Sequence, residues 1–431
     1  MKGNPLRAVI LAVGSELLLG GRVESNSLFL AEILADCGIE VRKKIAVGDH
    51  QADIRAALRA SLKHADVIVV TGGLGSTLDD CTREAIAEVC HRPLLRRRRA
   101  YQILKERVHS RGRIVTPLIA QQALIPTGAT ILHNAVGTAP GFYFQEKGSV
   151  ICVLPGVPSE AKAMMIAQMQ PVLRRICKGT RRLWSHAFHT YGLSELDVQA
   201  QLGPILKRAS QEQIGLLPSP KGVTVTVSGW VLDHVKSSTK APHPFLSEWN
   251  HLIDQMRECL GSWLFAEGEQ SMEEIVGECL RRRHWNLAVA ESCTGGLIAH
   301  RLTEVSGSSD YVDRSVVTYS NASKEALLGV SGKLLQRHGA VSLSVAKAMA
   351  TGIKNRSHVD VGLSVTGIAG PGGGTVKKPV GLVYMAIDGP LGCHAQRCQF
   401  WGTRTEIKLR SSQAALDLIR RYAVNALSAR L

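Results

Sequence analysis

Hydrophobic spacing changes character along the chain. Between residues 8 and 170, short unbroken apolar runs alternate with stretches of helical period. AVILAV (8–13), stopped by Gly14, predicts a strand. SNSLFLAEILADCG (25–38) carries apolar side chains at Phe29, Leu30, Ile33, Leu34 and Cys37, the spacing of one helix face, and closes on Gly38. IEVRKKIAV (39–47) predicts a strand, Ile54, Leu58 and Leu62 mark a helix, and ADVIVV (65–70) predicts a strand buried on both faces. Single helices between strands imply right-handed crossovers, hence a doubly wound, mainly parallel sheet whose ligands sit beyond the strand C-termini.

From about residue 172 the pattern differs. VTVTVSGWV (223–231) alternates with period two, HPFLSEWNHLIDQMRECL (243–260) has helical spacing, and the Lys/Pro/Ser-rich stretch 236–244 predicts a loop. This is a small α+β module. Its His186 and His189, three apart on a strand, point to opposite faces and so read as packing residues rather than a metal pair. Near residue 268 the α/β order returns. Ser271 and Glu274 form a capping box before Ile275, Val276, Cys279 and Leu280, and VAESCTGG (289–296), SVVTYS (315–320) and VDVGLSVTGIAGPGGG (359–374) follow. The expected domains are 1–171, 172–267 and 268–431.

Composition narrows the class. The 431 residues are 45% hydrophobic and 20% charged, ordinary for a globular protein. No apolar run approaches the ~18 residues of a membrane span. The run after Lys2 and Arg7 is too short for a secretory signal, and a cytoplasmic protein is expected. Ten cysteines without a CxxC pair read as buried thiols in a reducing compartment. The net charge of +16 is clustered at Arg96–Arg99, Arg174–Arg182 and Arg281–Arg283, which favours anionic partners. No aromatic residues interleave to stack bases, which favours a solvated basic face, and charge alone does not separate nucleic acid from small phosphate ligands.

Two stretches carry candidate chemistry. TGGLGSTLDDCTREA (71–85) follows the third strand: Gly72, Gly73 and Gly75 allow close backbone approach to phosphate, Asp79 and Asp80 are candidate ligands of a hard divalent cation, and Thr82 is a candidate cap of the next helix. LPGVPSEAKAM (154–164) adds Gly156 and Glu160, and GSELLLG (14–20) adds Glu16 to the metal set. In the second stretch, VAESCTGG, Ser292 ends a strand and begins a helix, so that helical N–H groups face a developing oxyanion. No histidine lies in these motifs; Lys324, in SNASK, is the candidate base, Tyr319 a proton relay or orienter, Thr366 a contact to amide or phosphate, and Arg404, in WGTR, a phosphate anchor. Cys293 reads as a core-facing neighbour.

GSELLLG, TGGLGSTLDDCTREA, NAVGTAPGF (134–142) and LPGVPSEAKAM resemble the CinA (competence/damage-inducible) family, whose N-terminal domain is similar to molybdopterin-binding domains. VAESCTGG, VTYSNASKEALLGV (317–330), VTGIAGPGGG (365–374) and KPVG (378–381) resemble its nicotinamide-nucleotide amidohydrolase domain. The resemblance implies an α/β protein with a molybdopterin-binding-like first domain, deamidation of nicotinamide mononucleotide to nicotinate mononucleotide by the last, and metal-dependent hydrolysis of ADP-ribose by the first. It implies Ser292, Lys324 and Tyr319 as catalytic residues, and substrate contacts from Glu291, Thr294, Gly295, Asn321, Thr366, Gly367 and Arg404. The amidase is expected to need no cofactor, and a homodimer is expected. The chain departs from the family pattern at Ser76, where the family has Pro, at LIAQQA (118–123), which lacks an Arg and a Lys expected at phosphate, and at 340–344, where AVSEE becomes AVSLS. A pterin-binding transferase and a DNA-associated scaffold are the alternatives; no zinc finger, RNP signature or GXXG clamp supports the latter.

Overall fold

The computed structural model describes residues 6–21, 23–77, 79–177, 181–206, 214–232 and 244–425. The chain divides into two compact units, one of residues 1–184 with 229–241 and one of 185–228 with 242–431.

The first unit holds β1 (Leu6–Val13), β2 (Ile39–Val47), β3 (Val67–Thr71), β4 (Leu94–Arg96), β5 (Leu124–Pro126), β6 (Thr130–Leu132), β7 (Gly141–Glu146) and β8 (Ser149–Leu154). Six of these make one sheet in the order β2-β1-β3-β8-β7-β6. Strands β2, β1, β3 and β8 run parallel, and β7 and β6 add an antiparallel edge. Apolar runs on β1, β3 and β8 are buried on both faces because helices cover both. Helix Asn26–Asp36 packs with Met164, Met165, Met169 and Leu173 on one face. Helices Gln51–Leu62, Thr82–Val89 and Arg98–Ser110 supply the other core. This is the expected doubly wound α/β domain; the antiparallel edge was not anticipated from the sequence pattern.

The remaining strands are β9 (Arg181–Thr190), β10 (Ile214–Ser219), β11 (Gly222–Leu232), β12 (Leu264–Glu267), β13 (Leu287–Glu291), β14 (Val312–Val317), β15 (Val361–Gly367), β16 (Leu382–Gly389) and β17 (Gly392–Gln399). β10-β11-β9-β12 form a four-stranded sheet, and helix Pro244–Leu260 lies where the helical spacing placed it. The predicted loop 236–244 lies outside the described residues except for Pro244, which begins that helix. The second unit joins the middle stretch to the C-terminal domain, and Tyr191 and Phe265 pack against the C-terminal core. His186 meets Glu267 at 2.7 Å, while both ring nitrogens of His189 are occupied, by Thr224 Oγ1 and the Gly268 carbonyl.

β14-β13-β15-β16-β17 make a five-stranded sheet, parallel across β14-β13-β15 and antiparallel beyond. Helices Met272–Arg283 and Arg404–Ala423 contribute to the core on one side, and helix Leu343–Ser357 to a second core. The predicted capping box is formed: Ser271 Oγ accepts from the Glu274 amide, and the Glu274 carboxylate accepts from the Ser271 amide at 2.7 Å. Because the chain leaves β13 for one neighbour, β14, and returns to the other, β15, the C-terminal end of β13 is a topological switch point, where an open α/β sheet leaves a crevice. Ser292 is the next residue.

Candidate functional site

The turn after β13 is built by backbone geometry. Ser292 N–H donates to the Val365 carbonyl of β15 at 3.0 Å, and Gly295 N–H returns to the Ser292 carbonyl at 3.1 Å. Gly295 and Gly296 have φ of +63° and +90°, which only glycine adopts without strain. Lys324 comes from helix Asn321–Leu328, started by a Ser320–Ser323 capping box immediately beyond β14. Its Nζ donates to the Thr318 carbonyl at 2.7 Å and lies 3.3 Å from Ser292 Oγ. Ser292 is 8% exposed and Lys324 only 1%. Burial holds the Lys324 pKa below its ordinary value. In its deprotonated form the amine, anchored through one N–H to Thr318, has its lone pair free for the Ser292 hydroxyl proton. That is the arrangement of an activated nucleophile. Cys293 is buried beside it, and desolvation pushes its thiol up to about 12, far from the reactive thiolate.

The structure changes the reading of Glu291 and of the helix that follows. The helix begins at Leu297 rather than at Ser292. The fully buried Glu291 carboxylate accepts from the amides of Gly296 at 2.9 Å, Ile298 at 3.2 Å and Ala299 at 2.9 Å. The helical N–H groups expected at an oxyanion are thus held by the protein's own carboxylate, because a buried helix start must be satisfied internally. Glu291 acts here as an internal cap.

Other expected contacts sort by geometry. Arg404, in the first turn of its helix, donates to Tyr319 Oη at 2.8 Å and to the Gly370 carbonyl at 2.6 Å, drawing the loop after β14 and the glycine-rich loop after β15 together. Tyr319 is 61% exposed. Thr366 is buried and donates to the Ala340 carbonyl at 2.9 Å, so its hydroxyl proton is already committed. Gly367 is required by packing, since a Cβ there would stand 2.8 Å from the Leu382 carbonyl oxygen. Asn321 is exposed at the first turn of its helix. Thr294 is fully buried with its hydroxyl unpartnered, the one polar side chain of the turn with no internal role. Sequence reasoning missed Thr318, whose part is played by a main-chain carbonyl and leaves no side-chain signal.

In the first unit, loops after β1, β3 and β8 meet as the parallel topology requires. Gly72 (φ +97°) donates to the Leu154 carbonyl at 3.1 Å, and a Cβ on it would lie 2.0 Å from the Val13 carbonyl. Gly156 packs against Gly72, and Asn26 donates to the Gly156 carbonyl at 2.9 Å. A cavity of about 80 Å³ remains, lined by Glu16, Glu24, Asn26, Thr71 and Gly156 among others. Gly73 leaves room for Thr82 and Gly75 for Asp80. These close approaches are made to the chain itself. Thr82 does not cap its helix: the N-cap is Cys81, and the Thr82 hydroxyl is buried and unpartnered, as is Asn26 Oδ1. Glu160 accepts from Asn134 at 2.7 Å.

The two aspartates of this loop are engaged within it. Asp80 accepts from the amides of Gly75 and Thr77, each at 2.8 Å, and so fixes the loop; Asp79 is held below the ordinary carboxylate range by a hydrogen bond from Thr77. Among the described residues no group of three or more His, Cys, Asp or Glu is placed to hold one ion, so Glu16, Asp79 and Asp80 do not assemble as a ligand set. Nor, among those residues, is any helix long and apolar enough to cross a membrane.

The family model described as "CinA C-terminal domain" matches residues 269–423, and that described as "Probable molybdopterin binding domain" matches 9–175. A protein of Caldanaerobacter subterraneus named as competence-damage inducible is 38% identical over 417 residues, 97% of this chain and 98% of its own. A CinA-like protein of Geotalea uraniireducens is 37% identical over 424 residues, 98% of this chain and 99% of its own. A solved competence/damage inducible protein from Agrobacterium tumefaciens is 42% identical, covering 36% of this chain and 95% of that one, with a TM-score of 0.34. With a molybdopterin-binding-like domain ahead of its C-terminal domain, and identity to full-length relatives running through both, the chain belongs to the CinA family.

Proposed function

We propose that the C-terminal domain hydrolyses the carboxamide of nicotinamide mononucleotide, giving nicotinate mononucleotide and ammonia. The observation that supports it is the buried Ser292–Lys324 pair at the crevice of the parallel sheet. Substrate identity comes from the family resemblance of the four motifs around that pair.

The chemistry proceeds in two halves. Ser292 Oγ attacks the amide carbon while its proton passes to Lys324 Nζ. The tetrahedral intermediate collapses as Lys324 returns the proton to the departing nitrogen, releasing ammonia and leaving an ester on Ser292. Water, deprotonated by the again-neutral Lys324, hydrolyses the ester, and the proton returns to Ser292. Arg404, tied to Tyr319 and Gly370, stands at the edge where a phosphate would be held. No step is assigned to a metal, and none to the first unit, where Asp80 is engaged with backbone amides of its own loop.

Ammonia release from nicotinamide mononucleotide by the full-length protein, with and without chelator, tests the proposal. The expected result is release at equal rates in both. Absence of ammonia, or loss of it with chelator, overturns the reading. Release of AMP and ribose 5-phosphate from ADP-ribose, with and without chelator, tests the first unit separately.

A further inference from the structure

On the second unit, a cleft of about 520 Å³ lies beside the Phe400–Gly402 loop, which leads into the helix bearing Arg404. Its walls include Tyr191, Phe400 and Trp401, and Arg410, Glu195 and Glu406 line it as well. Trp401 is 69% exposed, although an indole of that size is normally covered. The Arg410 guanidinium sits 4.7 Å from the Trp401 ring centroid. Its Nε is buried without a hydrogen-bond partner, and Glu406, one turn earlier on the same helix, interacts with its charge. Glu406 is also occupied in a capping box, accepting from the Thr403 amide at 2.7 Å and hydroxyl at 2.8 Å. Neither Ser292, Lys324 nor Arg404 lines the cleft.

A half-buried arginine whose Nε lacks a hydrogen-bond partner, set beside a group of rings, is completed by an acceptor from outside the chain. The rings suit a flat π-system, and an arginine over an indole suits an anion attached to that system. We propose that this cleft is a second ligand site, separate from the Ser292 crevice, for a planar heteroaromatic ring bearing a phosphate or carboxylate, the nucleotide class of ligand. The ring stacks against Trp401 and Phe400, and the acidic group takes the Arg410 guanidinium. The site stands on its own lining and does not depend on the proposed amidase reaction. Its position suits a regulatory ligand, since the loop it grips is continuous with the turn that positions Arg404.

Adenosine monophosphate is the probe. Its binding to the full-length protein is followed by titration calorimetry, with nicotinamide mononucleotide present at saturation in a parallel titration of Ser292→Ala protein. The expected result is one saturable site, unaffected by the second nucleotide. Trp401→Leu and Arg410→Gln each weaken it tenfold or more, while both variants keep the wild-type melting temperature within a few degrees. No heat of binding, affinity unchanged in both variants, or one-for-one displacement by nicotinamide mononucleotide overturns the proposal.

Discussion

At the scale of single residues, the pair Ser292 and Lys324 is decided by burial. An exposed lysine is an ammonium ion at neutral pH and cannot accept a proton. Lys324 is nearly inaccessible, and desolvation lowers its pKa, which shifts it toward the proton-accepting form. The sign of the pH dependence follows. As pH falls through that lowered pKa the amine takes up a proton, so kcat/KM for ammonia release should fall on the acid side with a single ionisation. The same shift costs stability, because the unfolded chain binds the proton more readily over the interval between the two pKa values, and stability rises with pH across it. Lys324→Met should therefore be inactive yet melt at a higher temperature than wild type at neutral pH. A lower melting temperature would show that the ammonium is stabilised in place. Cys293→Ala should retain activity, with a stability loss of ~1–2 kcal/mol for a small buried side chain, and alkylating reagents should leave the native enzyme active. Inactivation by alkylation at Cys293 would move the chemistry to the thiol.

Secondary structure elements explain why part of this site could be read from sequence and part could not. β13 was legible as LAVA flanked by polar residues, and the SNASK helix was legible from its cap, so Ser292 and Lys324 could each be placed at an element boundary. What period and propensity could not supply was the start of the helix after Ser292. Two glycines at positive φ delay it to Leu297, and Glu291 reaches forward to satisfy its amides. A glutamate at the end of an apolar strand reads equally as ligand or cap until the turn is known. The antiparallel additions, β6–β7 and β16–β17, were missed for a related reason: strand direction depends on the connection rather than on the strand's own pattern. Glu291 yields a direct prediction. Glu291→Ala leaves several buried amides without an acceptor and should cost about 3 kcal/mol or more, whereas Glu291→Gln, which retains one acceptor oxygen, should cost less. Denaturant unfolding measures both. If Glu291→Ala instead left stability unchanged and raised only KM, the carboxylate would be a substrate contact after all.

For the whole molecule, every residue assigned to the reaction lies between Glu291 and Arg404, inside one five-stranded domain with its own core. A fragment of residues 268–431 should fold and retain ammonia release. It should melt several degrees below the full chain, because Tyr191 and Phe265 no longer cover the C-terminal core. A folded but inactive fragment would show that the site needs the middle sheet. The large positive charge, which the sequence left open between nucleotides and nucleic acid, is partly engaged in the fold. Arg281 stacks on Tyr311 and pairs with Asp310, Arg283 stacks on Trp285 and donates to the Ala423 carbonyl, and Arg96 stacks on Tyr101. Such arginines are packing residues as much as surface charge.

The kinetics of the double variant test directly whether Ser292 and Lys324 act as one catalytic unit. Ammonia release from nicotinamide mononucleotide is measured for wild type, Ser292→Ala, Lys324→Ala and the two combined. Each single substitution should lower the rate by a factor on the order of 10³, and the double variant should be scarcely slower than either, since removing half of a unit removes the whole. Losses that multiply in the double variant, or a Ser292→Ala protein that keeps the wild-type rate, would contradict it.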